Sequence, residues 1–168
     1  NNFGQLGTTT STNTLNPTPI TNLATSTVDV IVRSGYTQGT GLKQGTYMVA
    51  LKGDGTVFVT GNNEQGQLGL GNQTYQAGTW VVPSSAPTNV AKIYGTGAYQ
   101  GSFTNAYNGG NTYLVTTGGV LWGAGSNGRG ELGVGDSAFK NTFTQAVDPT
   151  SQFQGKVAKM IVSGAYQD

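Results

Sequence analysis

The chain has 168 residues, only 9% of them charged, and its net charge is +1. A typical domain carries about 25% charged residues, so this surface is neutral and polar and lacks the clustered lysine and arginine that nucleic-acid binding requires. The sequence contains no cysteine and no histidine, which excludes a disulfide framework, thiolate chemistry and histidine as a general base or metal ligand.

The first predicted element is a glycine turn that recurs twice. It reads Asn-Asn-Phe-Gly-Gln-Leu-Gly at 1–7, and its counterparts are 63–69 and 127–133. The equivalent glycines Gly4, Gly66 and Gly130 are 62 and then 64 residues apart. Such a spacing is typical of an array of one supersecondary unit. Because glycine reaches backbone angles that other residues avoid, we assign six glycines to the turns: Gly4, Gly7, Gly66, Gly69, Gly130 and Gly133.

A short apolar segment recurs in phase with the turns, at 28–36, 90–99 and 157–166. Each copy is rich in β-branched residues and contains a glycine shortly before a closing tyrosine, which predicts a buried strand. We expect the tyrosines to line one face near the centre of the array, where their hydroxyls need partners. They are candidate contact residues: Tyr36, Tyr99 and Tyr166.

Two hairpins follow the first two of these strands. One spans 47–61 around Gly53-Asp54-Gly55, and its counterpart spans 113–125 around Gly118-Gly119. Glycine supplies the positive φ that tight hairpin turns demand, and no window shows helical periodicity, so we predict an all-β repeat architecture. Three connectors complete the units: 8–27, 70–89 and 134–156.

The polar residues favour turns over chemistry. Asp54 lies at a hairpin tip, where aspartate bonds its own backbone. Asp136 occupies the place that Asn72 has in the preceding unit, which favours backbone capping, and Glu131 occupies the slot of Gln67, which favours structural hydrogen bonding. We therefore predict no catalytic residue, no metal site and no cofactor.

The two tryptophans and one asparagine are candidates for other roles. Trp122 stands in the strand slot of Phe58 and is expected in the core between units. Trp80 lies in a connector, either in an outer strand packed in the core or as an aromatic contact on a loop. Asn72 begins the sequon Asn-Gln-Thr and is a candidate for a surface glycan. No segment approaches the ~18 apolar residues of a membrane span.

Two segments, 56–69 and 121–133, resemble the repeat of the regulator of chromosome condensation family: a strand that ends in aromatic-x-x-Gly and continues into Asn-x-x-Gly-Gln-Leu-Gly. The resemblance covers the whole chain and implies that each unit forms a four-stranded blade of a β-propeller. We expect residues 1–168 to form one open, partial array of about three blades. The chain departs from the family in having tyrosine where the family usually has histidine.

The array is out of register at both ends, since the chain starts after the hairpin of its first unit and stops before the hairpin of its last. Three units do not close a propeller of four to eight blades, and open edges bind or aggregate unless they are covered. Either the chain is a fragment of a longer propeller or several chains complete one another, and we favour the fragment. Because it begins at Asn1, we expect a processed product or a piece of something longer.

These features predict a non-enzymatic structural or binding protein that is extracellular or on a cell or virion surface, such as an adhesin, an appendage, a phage fibre or a filament subunit. Its loops or open blade edges would contact a protein partner or copies of itself. The resemblance offers a small-GTPase regulator as an alternative, against which the neutral surface and the absent histidine argue. A secreted, inhibitor-like propeller that binds one protein is another.

Overall fold

The computed structural model describes residues 6, 20, 23, 25–37, 44–97, 99–100 and 110–147. These residues form strands and turns with no α-helix. Their strands are β1 (Thr27–Thr37), β2 (Gln44–Lys52), β3 (Val57–Gly61), β4 (Gln76–Val81), β5 (Val90–Gly95), β6 (Tyr99–Gln100), β7 (Asn111–Thr116), β8 (Leu121–Gly125) and β9 (Lys140–Gln145).

Eight of these strands form two antiparallel four-stranded meanders. Blade 1 consists of β1 to β4, and blade 2 consists of β5, β7, β8 and β9. In each blade the strands pair in chain order, and a short hairpin turn joins the two middle strands, at 53–56 in blade 1 and at 117–120 in blade 2. The short β6 pairs in parallel with the end of β1. The prediction of an all-β fold built from propeller blades is confirmed.

Two predicted connectors need correction, because each contains the outer strand of a blade. β4 lies inside 70–89, and β9 lies inside 134–156. An outer strand has one face toward solvent, and β4 reads Gln-Ala-Gly-Thr-Trp-Val, so its alternation is too weak to predict a strand. The third predicted inner strand at 157–166 and most of the connector 8–27 lie outside the described residues.

The interior between the blades is apolar. We call the side of each blade that points toward the next blade in the chain its forward face, and the opposite side its backward face. Blade 1 contributes forward-face residues such as Val49 and Val59, and blade 2 contributes backward-face residues such as Ile93 and Leu114, all at most 3% exposed. Each fully buried side chain of this size contributes about 1.5–3 kcal/mol, so this interface is the main source of cohesion between the blades.

Apolar clusters also lie on the two outward sides of this pair of blades. The backward face of blade 1 carries a cluster with Ile20 and Phe58 packed at its margin: Leu23, Met48, Ala50 and Trp80. The forward face of blade 2 carries another, with Tyr94 and Leu121 at its margin: Tyr113, Leu132 and Val134. Within the described ranges, each blade therefore has an apolar side that no second blade covers.

Candidate functional site

The glycine turn of blade 1 is held together from within. The Asn63 side chain is fully buried, and its Oδ1 accepts a hydrogen bond from Leu68 N at 2.9 Å while its Nδ2 donates to Asn72 O at 2.9 Å. Gly66 and Gly69 have φ of +77° and +67°, a region that strains any residue with a Cβ. The turn therefore builds the blade and offers no polar group of Asn63 to a ligand.

The turn of blade 2 repeats this geometry. Asn127 Oδ1 accepts from Leu132 N at 2.9 Å, and Asn127 Nδ2 donates to Asp136 O at 2.8 Å. Gly130 and Gly133 have φ of +75° and +65°. The equivalent glycines of the first turn, Gly4 and Gly7, lie outside the described residues.

The slot shared by Gln67 and Glu131 makes the same bond in both turns. Gln67 Oε1 accepts from Gln65 N at 2.9 Å, and Glu131 Oε2 accepts from Arg129 N at 2.8 Å. The second polar partner changes with the residue, since Gln67 Nε2 donates to an asparagine oxygen whereas Glu131 Oε1 accepts from a serine hydroxyl. The glutamate is therefore a turn residue, as the sequence predicts.

The candidate carboxylates are also bonded to nearby backbone. Asp54 Oδ1 accepts from Thr56 N at 2.9 Å, and this bond lowers the pKa of Asp54. Asp136 Oδ1 accepts from Ala138 N at 2.9 Å, and the hydrogen bond from Lys140 is the main cause that lowers the pKa of Asp136. Both groups stay ionised and cap turns, which confirms the capping interpretation.

The inner junction between the blades is centred on Tyr47. This side chain is 1% exposed, and its hydroxyl lies 2.7 Å from Asn111 O and 3.0 Å from Thr96 O, both in blade 2. Thr96 and Asn111 are joined to each other by two hydrogen bonds of 2.9 Å. Burial raises the pKa of Tyr47 far above its usual value, so the phenol remains a donor at any ordinary pH.

Gly95 lets the two blades approach closely at this junction. Arg33 Nε donates to Gly95 O at 2.6 Å. A Cβ on Gly95 would lie 2.6 Å from the Tyr47 oxygen and 2.9 Å from Ile31 Cδ1, both from blade 1. Only glycine fits at this position, because blade 1 leaves no room for a Cβ.

The outer junction joins the blade 1 turn to β9. Ser85 Oγ donates to Gly69 O at 2.7 Å and accepts from Phe143 N at 2.9 Å. The Phe143 ring lies against the Gly69 backbone so closely that a Cβ there would overlap it. Gly71 and Asn141 exchange hydrogen bonds of 2.7 and 3.1 Å. One repeat thus covers the outer edge of the next, which removes an exposed strand edge.

The structure places Trp80 in β4, 6% exposed, beside Met48 and Ala50. By strand register it is the counterpart of Phe143. Its Nε1 is buried with no hydrogen-bond partner among the described residues. The contact role of Trp80 stays a prediction, whereas Trp122 packs against the interface between the blades, as predicted.

The remaining predicted residues are placed in part. The backbones of Tyr36 and Tyr99 are register partners in β1 and β6, whereas Tyr166 lies outside the described residues. Asn72 is exposed, and its Oδ1 accepts from Thr74 N and Thr74 Oγ1 at 3.0 and 2.8 Å. The glycan on Asn72 stays a prediction.

Sequence reasoning missed the junction residues Tyr47, Ser85 and Phe143. Tyr47 has Asn111 at the equivalent position of blade 2, so it does not recur in phase. In the sequence, a residue that joins two repeats can be recognised only if the same residue type recurs at the equivalent position of each repeat, and Tyr47 does not recur.

The described residues lack the features that metal binding and membrane-spanning helices require. They contain no group of three or more acidic, cysteine or histidine residues that could hold a metal ion. They also contain no helix with the length and apolar character needed to cross a membrane.

Comparison with known proteins gives one family match. The model of the regulator of chromosome condensation (RCC1) repeat matches residues 54–100, a span from the hairpin tip of blade 1 through β4 and β5. A search of curated proteins found no match.

Several solved structures are similar to the chain. Human WBSCR16 is 16% identical with a TM-score of 0.44, and the match covers 59% of this chain and 23% of that one. Yeast RCC1 (Prp20) bound to Kap60 is 20% identical with a TM-score of 0.43, and the match covers 61% of this chain and 21% of that one. Prp20p from Saccharomyces cerevisiae is 14% identical with a TM-score of 0.48, and the match covers 77% of this chain and 28% of that one. The chain spans about a quarter of the length of these proteins.

Proposed function

We propose that this chain, whose residues 54–100 form a regulator of chromosome condensation repeat, is a non-enzymatic scaffold that binds protein. One observation carries the proposal: three carboxylates in the described part of the chain that the sequence offers as candidates for chemistry are engaged in the chain's own turns. Asp54, Asp136 and Glu131 each accept a backbone hydrogen bond. What these turns leave for a partner is a surface of low charge.

We further propose that the protein acts outside the cell or on a cell or virion surface, as an adhesin, appendage, phage fibre or filament subunit. The support is compositional. Charged residues are only 9%, and threonine, asparagine, serine and glutamine supply the polarity. Such a surface binds through hydrogen bonds and shape, with little electrostatic steering.

The hairpin tips offer a candidate contact surface, which we call the tip surface and define by its exposed members Asp54, Thr88, Asn89, Thr117 and Gly118. It is braced by backbone bonds between tips and connectors. Thr117 N donates to Asn89 O at 2.9 Å, and Val90 N donates to Gly55 O at 3.2 Å. Because a braced loop loses little entropy on binding, this surface suits a protein partner that supplies matching polar groups.

A binding titration tests the scaffold. We expect a partner recovered from the source's surface fraction to bind the chain and to bind the double variant Asn89→Arg with Thr117→Arg at least tenfold more weakly. The matched control is Val82→Arg, an exposed position away from the tips. Equal binding by the tip variant and the wild type would contradict the use of this surface.

A regulator of a small GTPase is the second candidate, favoured by the repeat match alone. It predicts that the chain accelerates release of bound nucleotide from a small GTPase. Under the scaffold proposal the release rate is unchanged at any concentration of the chain. An inhibitor-like propeller would instead show one tight protein target and no assembly.

A further inference from the structure

The segment 72–74, Asn-Gln-Thr, follows the glycine turn of blade 1. It is the only Asn-x-Ser/Thr sequence of the chain in which x is not proline. All of its residues are exposed, as is the preceding Gly71. N-linked sugars are attached at such sequences on protein surfaces. The sequence makes Asn72 a candidate, and the structure shows which atom of its side chain is open.

The carboxamide of Asn72 is held through its oxygen. Oδ1 accepts hydrogen bonds from Thr74 N at 3.0 Å, from Thr74 Oγ1 at 2.8 Å and from Asn63 Nδ2 at 3.1 Å. Nδ2 has no acceptor among the described residues. Because the oxygen and nitrogen of one amide point in different directions, Nδ2 faces away from the turn. This nitrogen is the atom to which an N-linked sugar is joined.

The equivalent position of blade 2 shows what can fill the space beside Asn72. Asp136 also caps its turn with Oδ1, and its second oxygen, in the place of Asn72 Nδ2, accepts from Lys140 Nζ at 2.7 Å. Strand register puts Gln76 in the place of Lys140. Gln76 Nε2 donates to Thr79 Oγ1 at 3.2 Å instead. Blade 1 thus leaves open the space that a salt bridge occupies in blade 2.

The position of Asn72 in the blade separates it from the tip surface. β3 runs from the hairpin tip at 53–56 to the glycine turn at 63–69, and Asn72 follows that turn. A bulky group on Asn72 therefore stands at the end of blade 1 opposite the tip surface. A partner bound at the tips would not meet it.

We propose that Asn72 Nδ2 carries an N-linked glycan. In the transfer step, the bond from sugar C1 to the phosphate oxygen of a lipid diphosphate donor breaks and a C1–Nδ2 bond forms. The Nδ2 proton passes to a base of the transferase, and the lipid diphosphate leaves. The proposal rests on the proposed function in that a chain exported to a surface meets such a transferase. The glycan leaves the three hydrogen bonds to Oδ1 in place.

Deglycosylation of the secreted protein tests the site. The chain is secreted from a eukaryotic cell and treated with peptide N-glycosidase, which removes N-linked glycans and leaves aspartate. We expect faster migration after treatment and aspartate at position 72 in the tryptic peptide 53–92. Asn72→Asp and Thr74→Ala should show no shift. Asp136 shows that aspartate fits this turn, so we expect Asn72→Asp to fold. A secreted wild type with unmodified Asn72 overturns the proposal, as does an unmodified peptide 53–92 from the protein isolated from its source.

A relocated sequon is the matched control. Thr74→Ala combined with Gln65→Thr moves the sequon to Asn63, whose buried Nδ2 donates to Asn72 O at 2.9 Å. We expect the folded, secreted fraction of this variant to contain no glycan. A folded variant glycosylated at Asn63 as fully as the wild type is at Asn72 would contradict the structural argument. Partner binding through the tip surface is measured on Thr74→Ala, which lacks the glycan, so failure of this site and failure of the scaffold are separate results.

Discussion

The turns 63–69 and 127–133 share a sequence pattern and a backbone but differ in their surroundings. Gly69 and Gly133 have φ of +67° and +65°. The Phe143 ring of the next blade lies on Gly69, whereas the nearest atom that a Cβ on Gly133 would meet among the described residues is Ala146 Cβ at 4.0 Å. Gln67 is 1% exposed, and its counterpart Glu131 is exposed.

The difference separates two reasons why a glycine recurs at the same place in two turns of one chain. The first is intrinsic, because a positive φ strains every residue with a Cβ. The second is extrinsic, because only a neighbouring blade makes the space above the glycine scarce. The repeat in the sequence encodes the first reason in both turns, and the packing of blade 2 on blade 1 adds the second to one of them.

The largest expected effect is that of Gly69→Ala. It combines a strained φ of about 1–2 kcal/mol with overpacking against Phe143 of about 1–3 kcal/mol, so we expect a loss of about 3 kcal/mol. Gly133→Ala has the same φ without the ring and is expected to cost about 1–2 kcal/mol. Denaturant unfolding of both variants measures the difference. Equal losses would mean that blade packing adds nothing at Gly69.

The second effect lies at the inner end of the same interface. Tyr47→Phe removes the hydroxyl shared by Thr96 O and Asn111 O, which we expect to cost about 1–2 kcal/mol. Tyr113→Phe is the control on the outward side of blade 2, where the hydroxyl bonds Glu131 O at 3.1 Å. A smaller loss for Tyr47→Phe than for the control would show that Tyr47 does not join the blades.

Tyr47 also makes a pH prediction. Burial raises its pKa in the folded state, while an unfolded tyrosine ionises near pH 10. The stabilisation is complete below about pH 10 and is lost as pH rises above it, by about 1.4 kcal/mol per pH unit. Unfolding measured between neutral and alkaline pH should show a shallower decline for Tyr47→Phe. An unchanged slope would place the phenol in contact with water.

The polar slot gives a further pair of exchanges, of which Glu131→Gln has the smallest expected effect of all. Gln67→Glu places a carboxylate beside Asn62 Oδ1 in a buried site, which we expect to cost about 1–3 kcal/mol. Glu131→Gln changes an exposed residue and should stay within about 0.5 kcal/mol. Thermal unfolding of the two exchanges sharpens the comparison. Similar costs would indicate that the two turns are equally exposed.

Much of the blade could be predicted because its signals are local. The glycine turns, the hairpin tip at Asp54 and the slot of Gln67 and Glu131 depend on residues within a few positions of one another. The outer strands were harder, since β4 and β9 are polar on one face. The junction residues Tyr47 and Phe143 could not be predicted, because their partners lie in another repeat and no pattern in either repeat announces them.

The central claim is that Gly69 must be glycine partly because Phe143 of the next blade lies on it. A double-mutant cycle between Gly69→Ala and Phe143→Ala tests this most directly. In the Phe143→Ala background the ring is absent, so only the strain of the positive φ remains. We expect the cost of Gly69→Ala to fall there from about 3 kcal/mol to about 1–2 kcal/mol. The same cost of Gly69→Ala in both backgrounds would contradict the account.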